Sequence, residues 1–341
     1  IATGSSPRKP EFGDLCLTNE SIFELERLPA RLVVIGAGPV GVEMSQAFRR
    51  LGSEVTVVAS SDHILPRDEA DLAHMLQGAL EAEGIRFLLG HKAVKAERKP
   101  TGTIEVTLSN GESLSCDAVL AATGRAANIA GLGLDRAGVR ATDQGIGTNA
   151  RMRTSRRHIF ASGDVTGRYL FTHMAEHMSV IAVQNALLKW PASIDEAHVP
   201  WCTFTDPELA RVGASEQQLQ KEGASYKVFR FPFAKLDRAI TEGATTGEVK
   251  VLAGPKGKVL GASVLGARAG EMIAQWALAM KHGIKLSGVS QLIHPYPTYM
   301  LGNRRAADQW FTRQLDSPWL GLLGKVLGYR GERKGSAVLE E

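Results

Sequence analysis

A glycine turn between a strand and a helix constrains this chain more than any other feature. Residues Arg31–Ile35 end in four consecutive apolar residues, as strands buried on both faces of a parallel sheet do. Gly36-Ala37-Gly38-Pro39-Val40-Gly41 follows directly, with GxGxxG spacing. A helix is expected over 42–51, ended by Gly52, and a second strand over 54–58, which completes a βαβ unit. Each glycine has its own task. Gly36 permits the tight turn, Gly38 lets a pyrophosphate approach the backbone, and Gly41 lets the helix pack on the strand. The helix N-terminus, reached through Pro39 and Val40 of the turn, favours phosphate charge. GxGxxG alone also occurs in ordinary turns; the strand–turn–helix context makes it a dinucleotide site.

The pattern continues with a helix over 68–83, capped by Gly84, and a third parallel strand over 85–89. Residues 92–116 alternate around Gly102 and Asn110-Gly111, as hairpins do. A buried strand over 116–122 then leads into Thr123-Gly124-Arg125. Residues 1–30 read as a linker with one short helix around Ile22, Phe23 and Leu25. Further on, a short strand over 159–161 precedes Gly163-Asp164, and a helix is expected over 172–189. From residue 198 the pattern is α+β with an antiparallel sheet. Its strands are expected at 201–204, 226–232, 247–252 and 259–265, and its helices at 215–222, 270–282 and 286–292. The tail from Asn303 carries Trp310, Phe311, Leu315, Trp319, Leu320, Leu322, Leu323, Val326 and Leu327. It reads as apolar helical surface for packing or dimer contact, with membrane-surface binding the weaker alternative. Residues after Tyr329 are expected to be disordered.

The 341 residues are 44% hydrophobic and 22% charged, enough for two or three cored domains. A net charge of +4 with scattered Lys and Arg excludes a nucleic-acid footprint. No apolar run reaches the ~18 residues of a membrane span. Cys16, Cys116 and Cys202 form no CxxC or CxxxxC pair, so a local redox disulfide or zinc knuckle is not expected. Three buried thiols in a reducing cytoplasm are the expectation. The chain opens at Ile1 without Met and reads as though it starts inside a larger protein.

Cofactor choice is read where the second strand ends. An acid there accepts hydrogen bonds from the ribose 2′-hydroxyl of NAD. Here the positions are Ala59, Ser60 and Ser61, and Asp62 comes three residues late. The serine hydroxyls and nearby backbone N–H groups suit a 2′-phosphate, with Arg67 close in sequence. NADP is favoured over NAD on the missing acid.

Five phrases now carry a resemblance. Ile1–Pro7 with Thr3-Gly4, the turn at 36–41 followed by Glu43, Ala122–Asn128, Ile159–Asp164 and Phe204–Gly213 stand in this order. The ordered set resembles the flavoprotein pyridine nucleotide–disulfide oxidoreductases: dihydrolipoamide dehydrogenase, glutathione reductase and mercuric reductase. The resemblance runs to about Asp308. It implies a Rossmann-like α/β NAD(P)-binding domain, part of an FAD-binding domain and a C-terminal α+β dimerisation domain. The implied boundaries are 1–30 for the end of the first FAD segment and linker, 31–122 for NAD(P), 123–197 for the second FAD segment, 198–308 for dimerisation and 309–341 for the tail. Asp164, after Gly163, would accept a ribityl hydroxyl of FAD. The 172–175 stretch with His173 would present backbone N–H groups to the flavin pyrimidine edge. Glu43 would face the flavin and pair with a lysine of the disulfide-bearing helix; by position alone it is a first-turn acid complementing the helix dipole. Gly124 and Arg125 would lie near the dinucleotide.

The sequence also departs from the family. The first FAD βαβ unit and the CxxxxC pair are expected upstream of Ile1. Lipoamide and glutathione enzymes carry His-Pro-Thr with a Glu a few residues on, where this chain has Tyr296-Pro297-Thr298 and Leu301. A phenol titrates near ~10 and shuttles thiol protons poorly. His294 precedes Tyr296 by two, where a strand or turn aims it elsewhere. The tyrosine is closer to the mercuric-reductase pattern, but no cysteine follows Cys202. The implied protein is a homodimeric FAD-dependent NAD(P)H oxidoreductase with an open acceptor, a small molecule or a disulfide, and with Tyr296 reaching across the dimer. Two alternatives stay open: a catalytically incomplete dinucleotide-binding and dimerisation fragment, and a flavin NAD(P)H oxidase or quinone-type reductase.

Overall fold

Residues 1–189, 191–315 and 326–328 are described by a computed structural model, in which the chain divides into two units at Val199/Pro200. In the first unit, β1 (Ser5–Pro7) and β2 (Cys16–Leu17) precede β3 (Arg31–Ile35), α1 (Pro39–Leu51), β4 (Glu54–Ala59), α2 (Ala70–Ala82) and β5 (Arg86–Leu89). A meander of β6 (Ala93–Arg98), β7 (Ile104–Leu108) and β8 (Ser113–Cys116) leads to β9 (Ala118–Ala121). Strands β2-β9-β3-β4-β5 form one parallel sheet. Leu32, Val33, Val34 and Ile35 are all buried, which accounts for their unbroken apolar run. Leu72, Ala73, Leu76 and Leu80 form the buried stripe of α2 at helical spacing.

Several expectations are corrected here. Residues 116–122 are not one strand: the chain leaves the meander at Cys116 and enters the parallel sheet at Ala118. Asp117 makes the switch. Its carboxylate accepts from the Arg31 backbone N–H at 2.8 Å and from the Arg31 guanidinium at 2.9 Å. The expected helix near Ile22 is only a 3₁₀ turn, Ile22–Glu24. Helix α1 starts at Pro39, so Glu43 lies beyond its first turn and is not the dipole-complementing acid.

The unit continues with β10 (Arg125–Ala127), α3 (Leu134–Ala137), β11 (Ala141–Thr142), β12 (Gly145–Ile146) and α4 (Thr172–Val183). β10 pairs antiparallel with β1, placing Ser5 opposite Ala127. The strand expected over 159–161 is a single bridge between Arg153 and Phe160. The helix expected to run to 189 changes at Val183 into a π-turn, Gln184–Leu188. Asn185 is the physical reason: its side-chain amide donates to Ile181 O at 2.9 Å and Ala192 O at 2.7 Å, intruding on the helical ladder.

The second unit is one antiparallel sheet with helices. Its elements are β13 (Pro200–Thr203), β14 (Glu208–Gly213), α5 (Glu216–Lys221), β15 (Lys227–Pro232), α6 (Asp237–Glu242), β16 (Glu248–Ala253) and β17 (Val259–Gly266). Then come α7 (Ala269–Lys281), α8 (Leu286–Gln291) and α9 (Leu301–Leu315). The strand order is β13-β14-β17-β16-β15. All six residues of β16 are buried, including Lys250, whose ammonium lies 2.8 Å from the Glu216 carboxylate. Phe229, Phe233 and Trp276 fill the core with Val249, Val251 and Val264. The tail residue Trp310 packs on Phe229 with ring centroids 6.0 Å apart. Trp319, Leu320, Leu322 and Leu323, and the disorder expected after Tyr329, lie outside the described residues.

Strand β14 and helix α6 were not foreseen, whereas the tail expected to be helical from Asn303 forms α9. β14 reads as a loop because it holds Glu208 and Arg211. Both have partners there: Glu208 accepts from Gly270 N at 2.8 Å, and the buried Arg211 donates to Gly213 O at 3.1 Å and lies 4.9 Å from the Trp201 ring centroid.

Candidate functional site

The three turn glycines sit in unequal surroundings. Gly36 has φ +110°, and a Cβ there would meet Ala122 O at 2.4 Å. A Cβ on Gly41 would meet Gly36 O at 2.0 Å. Both are backbone contacts that cannot give way. Gly38 differs: a Cβ there meets nothing within 4 Å. Gly38 is also the N-cap of α1 and supplies no side-chain cap, while Pro39 and Val40 are exposed. The first-turn N–H groups of a helix lack intrahelical partners. The turn therefore combines a closed back, an open front and an electropositive helix end.

At the end of β4, Ser60 is exposed. Ser61 donates its hydroxyl to His63 O at 2.8 Å, so that group is engaged within its own turn. The Asp62 side chain is 93% exposed. Glu43, half-buried on α1, has partners of its own.

A second cluster gathers residues far apart in sequence. Ser5 donates to Asp164 Oδ2 at 2.6 Å. Arg125 donates through Nε to the Ser5 hydroxyl and through a terminal nitrogen to Ser5 O, both at 2.6 Å, and stands 3.7 Å from Asp164. Arg125 is thus tied to β1 and to Asp164. Arg125 and Asp164, with Arg8, Arg67 and Gly124, line a cavity of about 420 Å³. Thr3 donates to Asn128 O at 2.7 Å, and Gly4 (φ +71°) has open space on its Cβ side. Gly163 (φ +75°) sits so close to α4 that a Cβ would be 3.2 Å from Ala175 Cβ. His173 is exposed at the start of α4 and stacks on Phe171 at 5.2 Å. Ser5 and Arg8 were missed from sequence; only the β1–β10 register brings them to Asp164.

In the second unit, Tyr296 is 70% exposed, whereas Leu301 is buried in the core. His294 is turned inward and hydrogen-bonded. Tyr299 donates to Glu242 at 2.6 Å. Burial, and then that bond, push the Tyr299 phenol up to about 12. Burial pushes the Cys16 and Cys116 thiols up to about 11, so both stay protonated and unreactive at neutral pH. Cys202 is only partly buried, unlike the expectation for all three. No group of three metal-ligating side chains occurs among the described residues. Nor is any helix among them long and apolar enough to cross a membrane.

Known proteins resemble this chain in sequence and in fold. The family model for pyridine nucleotide-disulphide oxidoreductases matches residues 1–183, and that for the family's dimerisation domain matches residues 199–304. The chain belongs to the pyridine nucleotide–disulphide oxidoreductase family. Among relatives, dihydrolipoyl dehydrogenase of Thermus scotoductus is 39% identical over 319 residues, covering 90% of this chain and 68% of the relative. The mitochondrial enzyme of Bos taurus is 36% identical and covers 90% of this chain, which spans 62% of the bovine protein's length. Among solved structures, LpdA from Mycobacterium tuberculosis has a TM-score of 0.85 at 30% identity, covering 91% of this chain and 69% of its own. The HOCl-induced flavoprotein disulfide reductase RclA from Escherichia coli, as a Cu(II) complex, has a TM-score of 0.83 at 28% identity, covering 90% and 71%. The Rossmann-like parallel core with a C-terminal dimerisation fold is the family's architecture.

Proposed function

We propose that the full-length protein is a homodimeric FAD-dependent NAD(P)H oxidoreductase that passes hydride from NAD(P)H to flavin and electrons on to a disulfide or another acceptor. The uneven crowding of the glycine turn carries this reading. Gly36 and Gly41 are closed by backbone, so their lack of a side chain serves the fold. Gly38 is open, so its lack of a side chain serves something that approaches from outside. A pyrophosphate on the uncapped end of α1 fits that opening in charge and shape. In this reading residues 31–122 hold the dinucleotide, 123–197 complete the flavin domain, and 198–308 form the dimer.

Bound FAD supplies the redox chemistry. Thr3, Gly4, Gly163 and Asp164 would hold its ribityl side, and the start of α4 with His173 its pyrimidine edge. Ser5 uses one acceptor site on Asp164, and a carboxylate has about four, so capacity remains for a ribityl hydroxyl. Arg125 offsets the carboxylate charge. Gly124 leaves the cavity wall low. Glu43 would face the flavin from the dinucleotide side. NADPH is favoured over NADH because Ala59, Ser60 and Ser61 place no carboxylate against a 2′-phosphate. A homodimer suits the dimerisation-domain match and the exposure of Phe204 at 70% and Ile293 at 88%. Tyr296 would then serve the partner's site. A reducing compartment such as the cytoplasm suits three cysteines held as thiols.

One observation favours a second reading, an oxidase or quinone-type reductase. Leu301 is buried where thiol-reducing relatives of the pattern hold a carboxylate, and Tyr296 stands where they hold an imidazole. Oxygen or a quinone needs no thiol-proton shuttle.

The test is Gly38→Val in the full-length protein. NADPH affinity, read by fluorescence titration, should be lost while Tm stays within a degree or two of wild type, since the side chain points into open space. Unchanged affinity would refute the reading of the turn. NADPH consumption with a disulfide, with a quinone and with oxygen alone then separates the two acceptor classes.

A further inference from the structure

The loop that carries Tyr296 hangs on a histidine that the proposed reaction leaves unused. His294 is only 8% exposed, between Ile293 at 88% and Tyr296 at 70%. Its Nδ1 lies 3.0 Å from Leu292 O, and its Nε2 lies 2.9 Å from the Gln275 amide nitrogen.

The direction of every bond in this network follows from chemistry. An indole N–H only donates, and Trp276 Nε1 donates to Asn303 Oδ1 at 2.8 Å. That orients the Asn303 amide, whose nitrogen donates to Met272 O at 3.0 Å and to Gln275 Oε1 at 2.9 Å. Gln275 must therefore present its N–H to His294 Nε2, which accepts. At the other end a carbonyl only accepts, so Nδ1 carries the proton given to Leu292 O. The two ends are independent and demand the same tautomer. Trp276 and Asn303 are fully buried, so the chain of bonds runs from the core to an exposed loop.

The far side of the loop is held as well. Thr298 donates its hydroxyl to Pro295 O at 2.8 Å, and Tyr299 donates to Glu242 at 2.6 Å. Between these anchors Tyr296 projects outward.

We propose that His294 is a positioning residue: its Nδ1–H tautomer ties residues 292–294 to α7 and sets the direction in which Tyr296 projects. Both ring nitrogens are engaged, so His294 is not a replacement for the family's acid–base histidine. The proposal rests on the reading of Tyr296 as the residue that serves the reaction, and it extends that site to Gln275, Asn303 and Trp276.

Two measurements on the full-length, flavin-loaded protein test it. With ¹⁵N-labelled histidine at mildly alkaline pH, His294 should show the long-range pattern of the Nδ1–H tautomer. An Nε2–H or averaged pattern overturns the proposal. With 3-fluorotyrosine placed at position 296, the ¹⁹F resonance should be distinct from that of the free amino acid. In His294→Ala and in Gln275→Leu it should move towards the free position, and His294→Asn, which can still donate to Leu292 O, should recover most of the shift. A resonance unmoved in the folded variants overturns the proposal, as does a wild-type resonance already at the free position. If His294→Ala does not fold, Gln275→Leu decides, because it keeps the imidazole. Tyr296→Phe with undiminished NADPH-driven turnover would overturn the role of the tyrosine alone, leaving the tautomer and fluorine results standing.

Discussion

The glycine turn at 36–41 and the loop at 292–300 are both short connections that face solvent, yet they are held in opposite ways. The turn is held by main chain: Gly36 N donates to Val58 O at 2.8 Å, and a Cβ added at either closed glycine would first meet a backbone carbonyl. The loop is held by side chains drawn from three helices: Glu242 on α6, Gln275 on α7 and, through Gln275, Asn303 on α9. A backbone-built site announces itself by residue type at fixed spacing. A site built by side chains depends on tertiary placement, and no local pattern marks it.

The largest expected effect breaks or supports the turn side of that comparison. Gly41→Ala places a methyl 2.0 Å from Gly36 O, where the strand, the turn and the helix would all have to move. Overpacking against main chain should cost about 3 kcal/mol or more, read as a lower urea midpoint. Gly38→Ala, with φ −77° and open space, should leave the midpoint unchanged. Equal stability losses at Gly38 and Gly41 would mean that the turn is not divided into a structural back and a binding front.

A somewhat smaller effect is expected on the loop side. Asn303→Leu removes the acceptor of the Trp276 indole and both donor bonds of the amide in a fully buried position. Stranding the buried indole N–H and removing both donor bonds should cost roughly 2–3 kcal/mol. Denaturant midpoints measure it, and a loss below about half a kcal/mol would show that the network is not stably formed.

This division explains what could be read in advance. Strands β3 and β4 and helix α1 were legible because Val33, Val34, Val57 and Val58 form buried apolar runs and Gly52 closes the helix with φ +114°. The roles of Gly36 and Gly41 followed from spacing. Strand β14 was not legible, since Arg211 and Glu208 look solvated until Trp201 and Gly270 are placed beside them. The break at Asp117 was hidden because Cys116 and Ala118 are both buried and differ only in which sheet they join. Ser5 meets Asp164 across 159 residues, and no local pattern encodes that pairing. His294 could be named as aimed away from the position of Tyr296, but its partner Gln275, and Asn303 behind that, lie on two different helices.

The smallest effect concerns the far anchor of the loop and depends on pH. Tyr299 in the folded protein is raised from 10.0 to about 12, first by burial and then by its bond to Glu242. Glu242 is lowered from 4.5, chiefly by that same bond. A raised phenol contributes stability that is complete below the unfolded value of 10.0 and is lost as pH rises through about 12. A lowered carboxylate contributes stability that is complete above 4.5 and is lost as pH falls through its folded value. The pair therefore acts between those limits. Tyr299→Phe should lower stability by about 1 kcal/mol near neutral pH, and the difference from wild type should shrink at both ends of the window. Denaturant midpoints for the two proteins at pH 4, 7 and 10.5 would show this. A difference that stays constant across that range would mean that the hydroxyl contributes by packing alone, and the loop would then rest on its His294 anchor.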